Sequence, residues 1–441
     1  MSQRLATEKA TSTRRDFIKT SGALAGGAVL GSLALERSAH AAGDGRLKVG
    51  LVGCGGRGTG AAANALSADA NAVLTAVADP FAERINGCLS GLAKQAVADR
   101  VKVDADHQFT GFDGFQKVIE SGVDVVLLAS PPHFRPQHLK ACIEAGKHVF
   151  CEKPVAVDAP GVRSILETSK LAEEKGLSIV SGLCWRYHHA VKETMQRILD
   201  GAIGEVLSIQ ETYLTGTLWH RGREATDTEM AYQMRNWYYF TWLSGDFNVE
   251  QHVHSLDKAL WAFRDEPPLR AYGLGGREVR KEQPKYGDIY DHMAVVYEYP
   301  DGKKVHSYCR QQGGCFSNVS DQFLGTKGRA TVTPDHAIEG ENPWRFRGEG
   351  GNMYVLEHEA LFNAIRAGKP VNNGVYMARS TMLGILGRMV CYTGKAITWD
   401  EAMASTETLA PSSYAWDADP PTLPDADGKY AVAIPGVTKL T

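Results

Sequence analysis

The chain has 441 residues, of which 43% are hydrophobic and 22% charged, and its formal net charge is −3. This composition is ordinary for a globular protein, and the length suffices for two domains with sizeable cores. The near-neutral charge gives no electrostatic reason to expect nucleic acid or an anionic membrane as a partner. The eight cysteines include no C-x-x-C pair, so we predict no metal site. Cys309 and Cys315 could form a disulfide after export, which their spacing alone does not establish.

An export signal is the first element predicted along the chain. Arg14 and Arg15 precede an apolar stretch rich in glycine and alanine at residues 21–35, and an Ala-His-Ala cleavage site follows at residues 39–41. The stretch is too short and too rich in glycine for a comfortable membrane span. We therefore predict that residues 1–41 are a twin-arginine signal peptide and that the mature protein is periplasmic, without a membrane span.

Strands and helices alternate from residue 47 to about residue 180, which predicts a parallel sheet with helices on its faces. The predicted strands are Leu47–Gly53, Val73–Asp79, Asp124–Ser130, His148–Glu152 and Leu177–Gly182. The predicted helices are Gly58–Ser67, Phe112–Ser121, Arg135–Ala145 and Val162–Lys175. We assign residues 45–182 to this first α/β domain.

The pattern changes after Trp185. A helix predicted at Ala190–Asp200 leads into an extended segment at Glu205–Leu214. Further predicted strands are Arg270–Leu274, His292–Tyr299, Lys304–Arg310, Asp321–Gly325 and Arg329–Thr333. This order predicts a second α/β domain over residues 183–400, with a mostly antiparallel sheet and helices on one side. The remainder, residues 401–441, contains several prolines and is predicted to be an arm over the surface.

A glycine-rich turn, Gly-Cys-Gly-Gly-Arg-Gly at residues 53–58, follows the first strand and opens the first helix. In a dinucleotide-binding unit, Gly53 permits the tight turn, Gly55 lets the backbone approach the pyrophosphate and Gly58 lets the helix pack closely. The free N–H groups of the helix N-terminus then bind the phosphates. A glycine turn that binds nothing is the alternative, which this strand–turn–helix context disfavours.

Asp79 ends the second strand, at the place where a Rossmann domain binds the adenosine ribose. Its carboxylate is predicted to accept hydrogen bonds from the ribose and to repel a 2′-phosphate, which favours NAD as the cofactor. Arg84, one turn later, leaves NADP as the less favoured possibility.

Residues 145–154, Ala-Gly-Lys-His-Val-Phe-Cys-Glu-Lys-Pro, closely resemble the signature of the glucose–fructose oxidoreductase/inositol dehydrogenase (Gfo/Idh/MocA) family. Other segments that occur in the order of that family are Ser130-Pro131-Pro132, His138, Arg186, Gly201-Ala202-Ile203-Gly204 and Leu324-Gly325-Thr326-Lys327-Gly328. The resemblance covers most of residues 47–400. It implies an N-terminal Rossmann domain and a C-terminal α/β domain whose open sheet often serves in oligomerisation, here in a homodimer or homotetramer.

The resemblance places the lysine of the Glu-Lys-Pro element, Lys153, between nicotinamide and substrate. An ammonium beside a reacting hydroxyl stabilises developing negative charge, and partial desolvation can lower a lysine pKa into a useful range. A solvated lysine in a turn after the strand is the alternative. The predicted cofactor-binding residues are Gly53, Gly55, Gly56, Arg57, Gly58, Asp79, Arg84, Ser130, Pro131, His138, Glu152 and Lys153.

A second catalytic group is implied by residues 250–257, which resemble the family's Asp-x-x-x-His-x-x-Asp helix. His254 and Asp257 match that pattern, whereas Glu250 stands where aspartate is usual. The three share one helical face, on which a carboxylate one turn away would fix the imidazole tautomer and raise its basicity. We predict His254 to be the proton acceptor. His252 cannot face the same point, which argues against a metal pair, and a purely structural histidine is the alternative.

Aromatic and hydrogen-bonding residues between positions 219 and 242 predict a carbohydrate site, because such side chains stack on sugar rings and hold their hydroxyls. Packing in the core or at a subunit interface is the alternative for each of them. The predicted substrate-binding residues are Arg186, Tyr187, Arg235, Trp237, Tyr238 and His254.

Export to the periplasm constrains the function, because no soluble pool of nicotinamide cofactor can be assumed there. We predict an enzyme whose tightly bound NAD is loaded before export and recycled in place. The first hypothesis is an oxidoreductase that oxidises one carbohydrate and reduces a second carbonyl substrate. The second is a glycosidase that works by transient oxidation, elimination and reduction, and the third is a non-catalytic sugar- or cofactor-binding protein.

Overall fold

The computed structural model describes residues 45–282 and 284–439. Within them the strands form two sheets, to which helices are joined. The predicted signal peptide, residues 1–41, lies outside the described residues and stays a prediction, as does the periplasmic location.

The first sheet has the strand order of a Rossmann fold, as predicted. Its strands are β1 (Leu47–Val52), β2 (Ala72–Asp79), β3 (Gln108–Thr110), β4 (Val125–Leu128), β5 (His148–Cys151) and β6 (Ile179–Ser181). They lie in the order β3-β2-β1-β4-β5-β6. The order reverses between β1 and β4, which run parallel with Val49 opposite Val125. A crevice forms at such a reversal, at the carboxyl ends of the strands, and ligands of open α/β sheets bind there.

Helices pack against this sheet because its strands are apolar on both faces; every residue of β4, Val-Val-Leu-Leu, is buried. The longest of these helices is capped at both ends. The Asp158 carboxylate accepts the N–H of Gly161 at 2.8 Å, and Gly176 ends the helix with a φ of 64°. The helices are α1 (Gly56–Ala68), α2 (Ala82–Leu92), α3 (Gly114–Glu120), α4 (Arg135–Glu144) and α5 (Ala159–Lys175).

The second sheet is mostly antiparallel, as predicted. Its strands are β7 (Val206–Thr215), β8 (Arg270–Gly276), β9 (His292–Glu298), β10 (Lys304–Gln311), β11 (Asn318–Gly325), β12 (Gly328–Thr333), β13 (Ala337–Gly340), β14 (Trp344–Arg345) and β15 (Ile397–Thr398). They lie in the order β14-β13-β12-β11-β7-β10-β9-β8-β15, in which β7 and β10 run parallel. Burial alternates along β9, where Met293, Val295 and Tyr297 face the core. One face of the sheet is therefore covered and the other is open.

Further helices follow in the second half of the chain; some lie on that inner face, whereas Met353–Arg366 packs against α1, β5 and β6. The helices of this half are α6 (His189–Leu199), α7 (Glu229–Arg235), α8 (Thr241–Ser244), α9 (Phe247–Glu250), α10 (Val253–Ala262), α11 (Met353–Arg366), α12 (Gly374–Thr393) and α13 (Trp399–Ala404). Helix α12 is buried along most of its length and packs against α5, α10 and β8. Short 3-10 turns lie at Ala98–Arg100, Ala105–His107, Pro132–Phe134, Cys184–Arg186, Trp237–Tyr239 and Pro300–Gly302.

Two features of the second half bear directly on the site. The helix predicted to carry residues 250–257 is interrupted, because α9 ends at Glu250 and α10 begins at Val253. From Ser405 onward the described chain has neither helix nor strand, so the first residues of the predicted arm, 401–441, belong to α13. This segment is tied down by side chains, since the hydroxyl of Tyr430 donates to the carboxylate of Glu229 on α7.

The described residues contain neither a membrane-spanning helix nor a cluster of metal ligands. No helix within residues 45–282 and 284–439 combines the length and apolar character needed to cross a bilayer. In the same part of the chain, no group of three or more His, Cys, Asp or Glu side chains is arranged to hold a metal ion. Cys309 and Cys315 are unbonded: the Cys309 thiol faces the core and contacts Asn248 at 3.3 Å, and Cys315 is exposed.

Candidate active site

The glycine-rich turn between β1 and α1 has the shape that a dinucleotide requires. Gly53 has a φ of 99°, and a Cβ there would lie 2.5 Å from the Ser130 nitrogen. A Cβ on Gly58 would lie 1.8 Å from the Gly53 carbonyl oxygen, whereas one on Gly56 would meet nothing within 4 Å. Gly55 begins α1 without a side-chain cap. The turn is therefore closed on the protein side, and no side chain caps the N-terminus of α1 beside it, which fits a phosphate ligand.

A cavity of about 370 Å³ opens in front of this turn. It lies at the carboxyl ends of β1, β2 and β4, where the strand order reverses. Ten of the predicted cofactor-binding residues line it together: Gly53, Gly55, Gly56, Arg57, Gly58, Asp79, Arg84, Ser130, Pro131 and His138. These ten predicted residues therefore lie around one cavity, and their binding of a cofactor stays a prediction.

Asp79 is buried at the rim of this cavity and is held by the backbone. One carboxylate oxygen accepts the N–H of Cys54 at 2.8 Å and the other accepts the N–H of Phe81 at 3.0 Å. Burial raises the pKa of Asp79, although these two hydrogen bonds oppose the shift. Asp79 therefore ties the glycine turn to β2 as well as facing the cavity.

On the opposite wall, Ser130 and His138 form a buried pair, with 3.2 Å between Oγ and Nδ1. The ring of His138 stacks on Phe115 at a centroid distance of 4.1 Å. Burial lowers the pKa of His138 to about 3, so its imidazole is neutral at physiological pH. This wall offers an uncharged, partly apolar surface.

Arg57 and Glu152 are engaged with other side chains, and Arg57 also lines the cavity. Their side chains pair with each other, and Arg57 also bonds Glu357 of α11, with 2.9 Å between Nη2 and Oε1. The ring of Tyr354 lies under the guanidinium at 4.8 Å. One guanidinium is thus shared between two carboxylates, and the cofactor roles predicted for Arg57 and Glu152 stay predictions. The cluster links the glycine turn directly to the segment that carries Lys153.

Lys153 follows β5 and meets Glu250 at the end of α9. Its Nζ donates to the Glu250 carboxylate at 2.9 Å and to the Glu250 backbone oxygen at 2.5 Å. Each of the two side chains keeps 15% of its surface exposed. An ammonium held in this way is fixed in position yet remains open to a ligand. Glu250 therefore serves Lys153 and not, as predicted, the imidazole of His254.

His254 lies in the first turn of α10 and is half-buried. Its Nδ1 has no hydrogen-bond partner among the described residues. Burial, followed by the positive charges of Lys153 and Lys258, lowers the pKa of His254 well below its usual value. The imidazole is therefore neutral and close to the Lys153 ammonium. The prediction that a carboxylate raises its basicity is not supported, because the neighbouring acids bind cations instead.

Asp257 is one of those acids, and its partner is Arg186. The guanidinium bonds both oxygens of Asp257 at 2.8–3.0 Å and also reaches Asp265, while the hydroxyl of Ser380 donates to Asp257 at 2.7 Å. The ring of Tyr376 lies 3.9 Å from the guanidinium carbon. Asp257 and Arg186 thus form a buried ion pair that holds α10 in place. The catalytic role of Asp257 and the substrate role of Arg186 stay predictions.

This ion pair leads to a prediction about stability. Asp257 is 1% exposed and Arg186 9%, so Asp257→Asn leaves a buried guanidinium undercompensated. We expect the free energy of unfolding to fall by about 3–5 kcal/mol. Urea unfolding followed by circular dichroism measures it. Asp265→Asn is the matched control, because that carboxylate is 30% exposed and its loss should cost about 1 kcal/mol or less. Equal losses in the two variants would contradict the assignment.

The other predicted substrate residues are scattered. The Tyr187 hydroxyl donates to Asn373 at 2.6 Å, and Tyr238 is buried with its hydroxyl accepting from Gln311 at 2.8 Å. Arg235 pairs with Glu83 and Asp227, at the outer end of the cofactor cavity. Trp237 lines the cavity itself. Within the described residues, none of the four forms a hydrogen bond or ion pair with Lys153 or Glu250.

Comparison with known proteins finds a family model that matches the first domain. Residues 47–182 match the family model GFO_IDH_MocA, described as an oxidoreductase family with an NAD-binding Rossmann fold. The first domain of the chain is therefore similar to the NAD-binding domain of the Gfo/Idh/MocA family. The matched residues run from the start of β1 to the end of the first sheet. They include the glycine turn, Asp79 and Lys153.

Individual relatives are more distant and cover parts of the chain. The 2,7-anhydro-N-acetylneuraminate hydratase of Escherichia coli is 25% identical over 240 residues, which are 54% of this chain and 57% of that protein. The inositol 2-dehydrogenase of Rubrobacter xylanophilus is 27% identical over 294 residues, 66% of this chain and 72% of that protein. The first match therefore spans little more than half the length of its relative.

Solved structures confirm the fold beyond the family match. The scyllo-inositol dehydrogenase of Lactobacillus casei with bound NAD(H) and scyllo-inositol superposes with a TM-score of 0.61 at 18% identity. The superposition covers 80% of this chain and 99% of that one. At this identity the likeness concerns the fold alone.

Proposed function

We propose that the protein is a NAD-dependent oxidoreductase that acts on a sugar or sugar derivative and keeps its dinucleotide bound between turnovers. The observation that carries the proposal is a glycine turn with a cavity in front of it, which the Arg57–Glu152 pair joins to Lys153, itself held by Glu250. The inositol 2-dehydrogenase activity of the Rubrobacter relative supports a polyhydroxylated substrate.

The residues divide the chemistry between them. The nicotinamide of a bound dinucleotide would supply the acceptor for a hydride from the substrate carbon. Lys153, fixed by Glu250, donates a hydrogen bond to the reacting hydroxyl and stabilises the negative charge that develops on its oxygen. His254 is neutral and therefore able to accept the hydroxyl proton. Each role belongs to a different side chain, so each can be removed separately.

Retention of the cofactor follows from the export signal that residues 1–41 predict. The twin-arginine route carries folded proteins, so the dinucleotide is loaded before export. Outside the cytoplasm it has to return to its starting state on the same protein, by reduction of a second carbonyl compound. Dependence on a captive cofactor is thus part of the proposal. A separate feature, the open face of the second sheet, fits a homo-oligomer.

That open face carries exposed apolar side chains. Tyr272, Leu274, Tyr308 and Leu324 are 37–65% exposed. The strand register places all four on the face opposite the helices. Exposed apolar groups that cluster in this way are typical of a subunit interface. They support the dimer or tetramer that the family resemblance implies.

A second function is supported by the Escherichia coli relative. A 2,7-anhydro-N-acetylneuraminate hydratase acts on an anhydro sugar, which fits chemistry that breaks or adds across a C–O bond. In a glycosidase of this kind, transient oxidation of a ring hydroxyl acidifies the neighbouring C–H and elimination cleaves the glycosidic bond. Water then adds to the unsaturated ketone, and return of the hydride to the carbonyl reverses the oxidation. The same Lys153 and His254 serve both reactions.

One experiment on the protein as isolated separates the two functions. For a net oxidoreductase, we expect bound nicotinamide to be reduced on addition of a sugar and reoxidised on addition of a second carbonyl compound. Both steps are followed by the absorbance of the reduced form. A glycosidase would instead release free sugar from a glycoside and incorporate solvent deuterium at the ring carbon. Saccharide binding with neither signal would contradict both and leave a binding protein.

A further inference from the structure

The cofactor cavity has a wall that the Rossmann sheet does not supply. Four of its lining residues, Trp219, Arg221, Met234 and Trp237, belong to the second half of the chain. They lie between the end of β7 and the turn after α7. The dinucleotide site is therefore closed by a segment of the same chain more than 130 residues away from the glycine turn. We call residues 216–237 the roof segment.

Two arginines face the cavity without a carboxylate partner. A side pocket shares Gly55, Arg84 and Arg221 with the main cavity. A Cβ on Gly55 would lie 3.4 Å from Nη1 of Arg84, so this guanidinium stands at the start of α1. Neither Arg84 nor Arg221 forms an ion pair within residues 45–282 and 284–439, whereas Arg235 beside them is held by Glu83. Burial and the charge of Arg221 both lower the pKa of Arg84.

The positive charges of Arg84 and Arg221 repel each other, with Asp79 as the opposing charge near Arg84, and an anion between the two guanidinium groups relieves that repulsion. The N-terminus of α1 adds free N–H groups at the same place. The anion that this part of a dinucleotide site receives is a phosphate, to which arginine binds with two parallel hydrogen bonds. Arg221 supplies that cation from the roof segment, opposite the Rossmann domain.

The roof segment is held in place by protein contacts alone. The guanidinium of Arg235 bonds Glu83 of α2 at 2.7 Å and lies over the ring of Phe81 at 4.6 Å. The Arg221 N–H donates to Asn236 at 2.9 Å. Trp416 of the C-terminal arm packs against Phe81 from outside, with 4.9 Å between ring centroids. A bound dinucleotide would thus meet a preformed wall on both sides.

We propose that Arg221 is a phosphate ligand of the dinucleotide and that, with Arg84, it makes the cofactor slow to dissociate. This inference rests on the proposed function, which places a nicotinamide dinucleotide in the cavity. It assigns the retention of that cofactor to a named side chain outside the Rossmann domain. The phosphate is either the pyrophosphate common to NAD and NADP or the 2′-phosphate of NADP.

The test is the dissociation rate of bound cofactor from the full chain. Arg221→Gln is expected to speed release of the dinucleotide roughly ten- to a hundredfold, since one charged hydrogen-bonding partner is lost. Arg221→Lys should restore part of the retention. Arg223→Gln is the control: Arg223 lies on the same segment but bonds Glu229 and does not line the cavity. Release is measured by loading the reduced dinucleotide, chasing with excess oxidised form and following fluorescence.

The two phosphates are distinguished by running the experiment with NAD and with NADP. Equal acceleration for both assigns Arg221 to the pyrophosphate, and acceleration for NADP alone assigns it to the 2′-phosphate. Release from Arg221→Gln at the wild-type rate would overturn the inference, while the proposed function would stand. A wild-type protein that binds neither dinucleotide would contradict the proposed function itself.

Discussion

Lys153→Met is expected to abolish turnover while leaving the fold and the bound dinucleotide intact. Methionine keeps the length of the side chain and removes only the ammonium, which bonds Glu250 at 2.9 Å. The ammonium is the one cation that we place on the reacting hydroxyl. Loss of a group that stabilises developing charge costs about 10²–10³-fold in rate. Loss of the hydrogen bond that orients the reacting hydroxyl adds to this. We therefore expect kcat to fall at least about a thousandfold.

The measurement is single-turnover reduction of the bound nicotinamide after mixing with saturating substrate. Cofactor content of the purified variant shows whether the binding site survives. Lys140→Met is the matched control, since its ammonium lies in solvent 3.9 Å from Glu144 on the surface of α4. A Lys153→Met enzyme with the wild-type rate would remove Lys153 from the mechanism. Loss of the cofactor together with the rate would make it a binding residue only.

Local sequence was sufficient to predict the cofactor cavity and every strand of the first sheet except the short edge strand β3. Residues 47–79 form strand, turn, helix and strand in direct succession, and each glycine acts on neighbours a few residues away. Gly58, for example, must approach the carbonyl of Gly53. Because such constraints act over short stretches of chain, a pattern of glycines followed by an acid predicted the cavity lining. The Glu-Lys-Pro element added the position of Lys153.

Charge partners were not predictable in the same way, because they come from distant parts of the chain. Arg57 is neutralised in part by Glu357, 300 residues later, and Asp257 by Arg186, 71 residues earlier. Spacing along a helix indicates which residues share a face, but it does not say which cation from another element reaches them first. Spacing therefore did not predict that Asp257 and Arg186 pair with each other.

The continuous helix over residues 250–257 failed for a related reason. Periodicity treats the stretch as one helix, whereas α9 ends at Glu250 and α10 starts at Val253. Glu250 lies at the end of α9 and turns to Lys153, and His252 instead bonds Ser307 at 2.7 Å. The break therefore separates Glu250 from His254 and gives each of them to a different partner. Tertiary contacts decided the outcome over a good local pattern.

His254→Asn is expected to lower kcat about 10²–10⁴-fold, the range typical of a lost general base. Asparagine keeps a polar group near the position of Nδ1 but cannot accept a proton at neutral pH. Since burial and then Lys153 lower the pKa of His254, the wild-type imidazole stays unprotonated as the pH falls through 6.5. The acid limb of kcat/KM is therefore expected below the usual histidine range, and activity should persist into mildly acidic solution.

The pH profile and chemical rescue test this role together. The residual activity of His254→Asn should lack the acid limb, and added imidazole should restore part of the rate, because a small base can enter the space left by the ring. His107→Asn, on the surface beside Asp104, is the control and should keep the wild-type profile. An unchanged acid limb in His254→Asn, or no response to imidazole at any concentration, would assign the proton to another group. The role of Lys153 in proton transfer would then be tested, since its charge is, after burial, the next cause of the lowered pKa of His254.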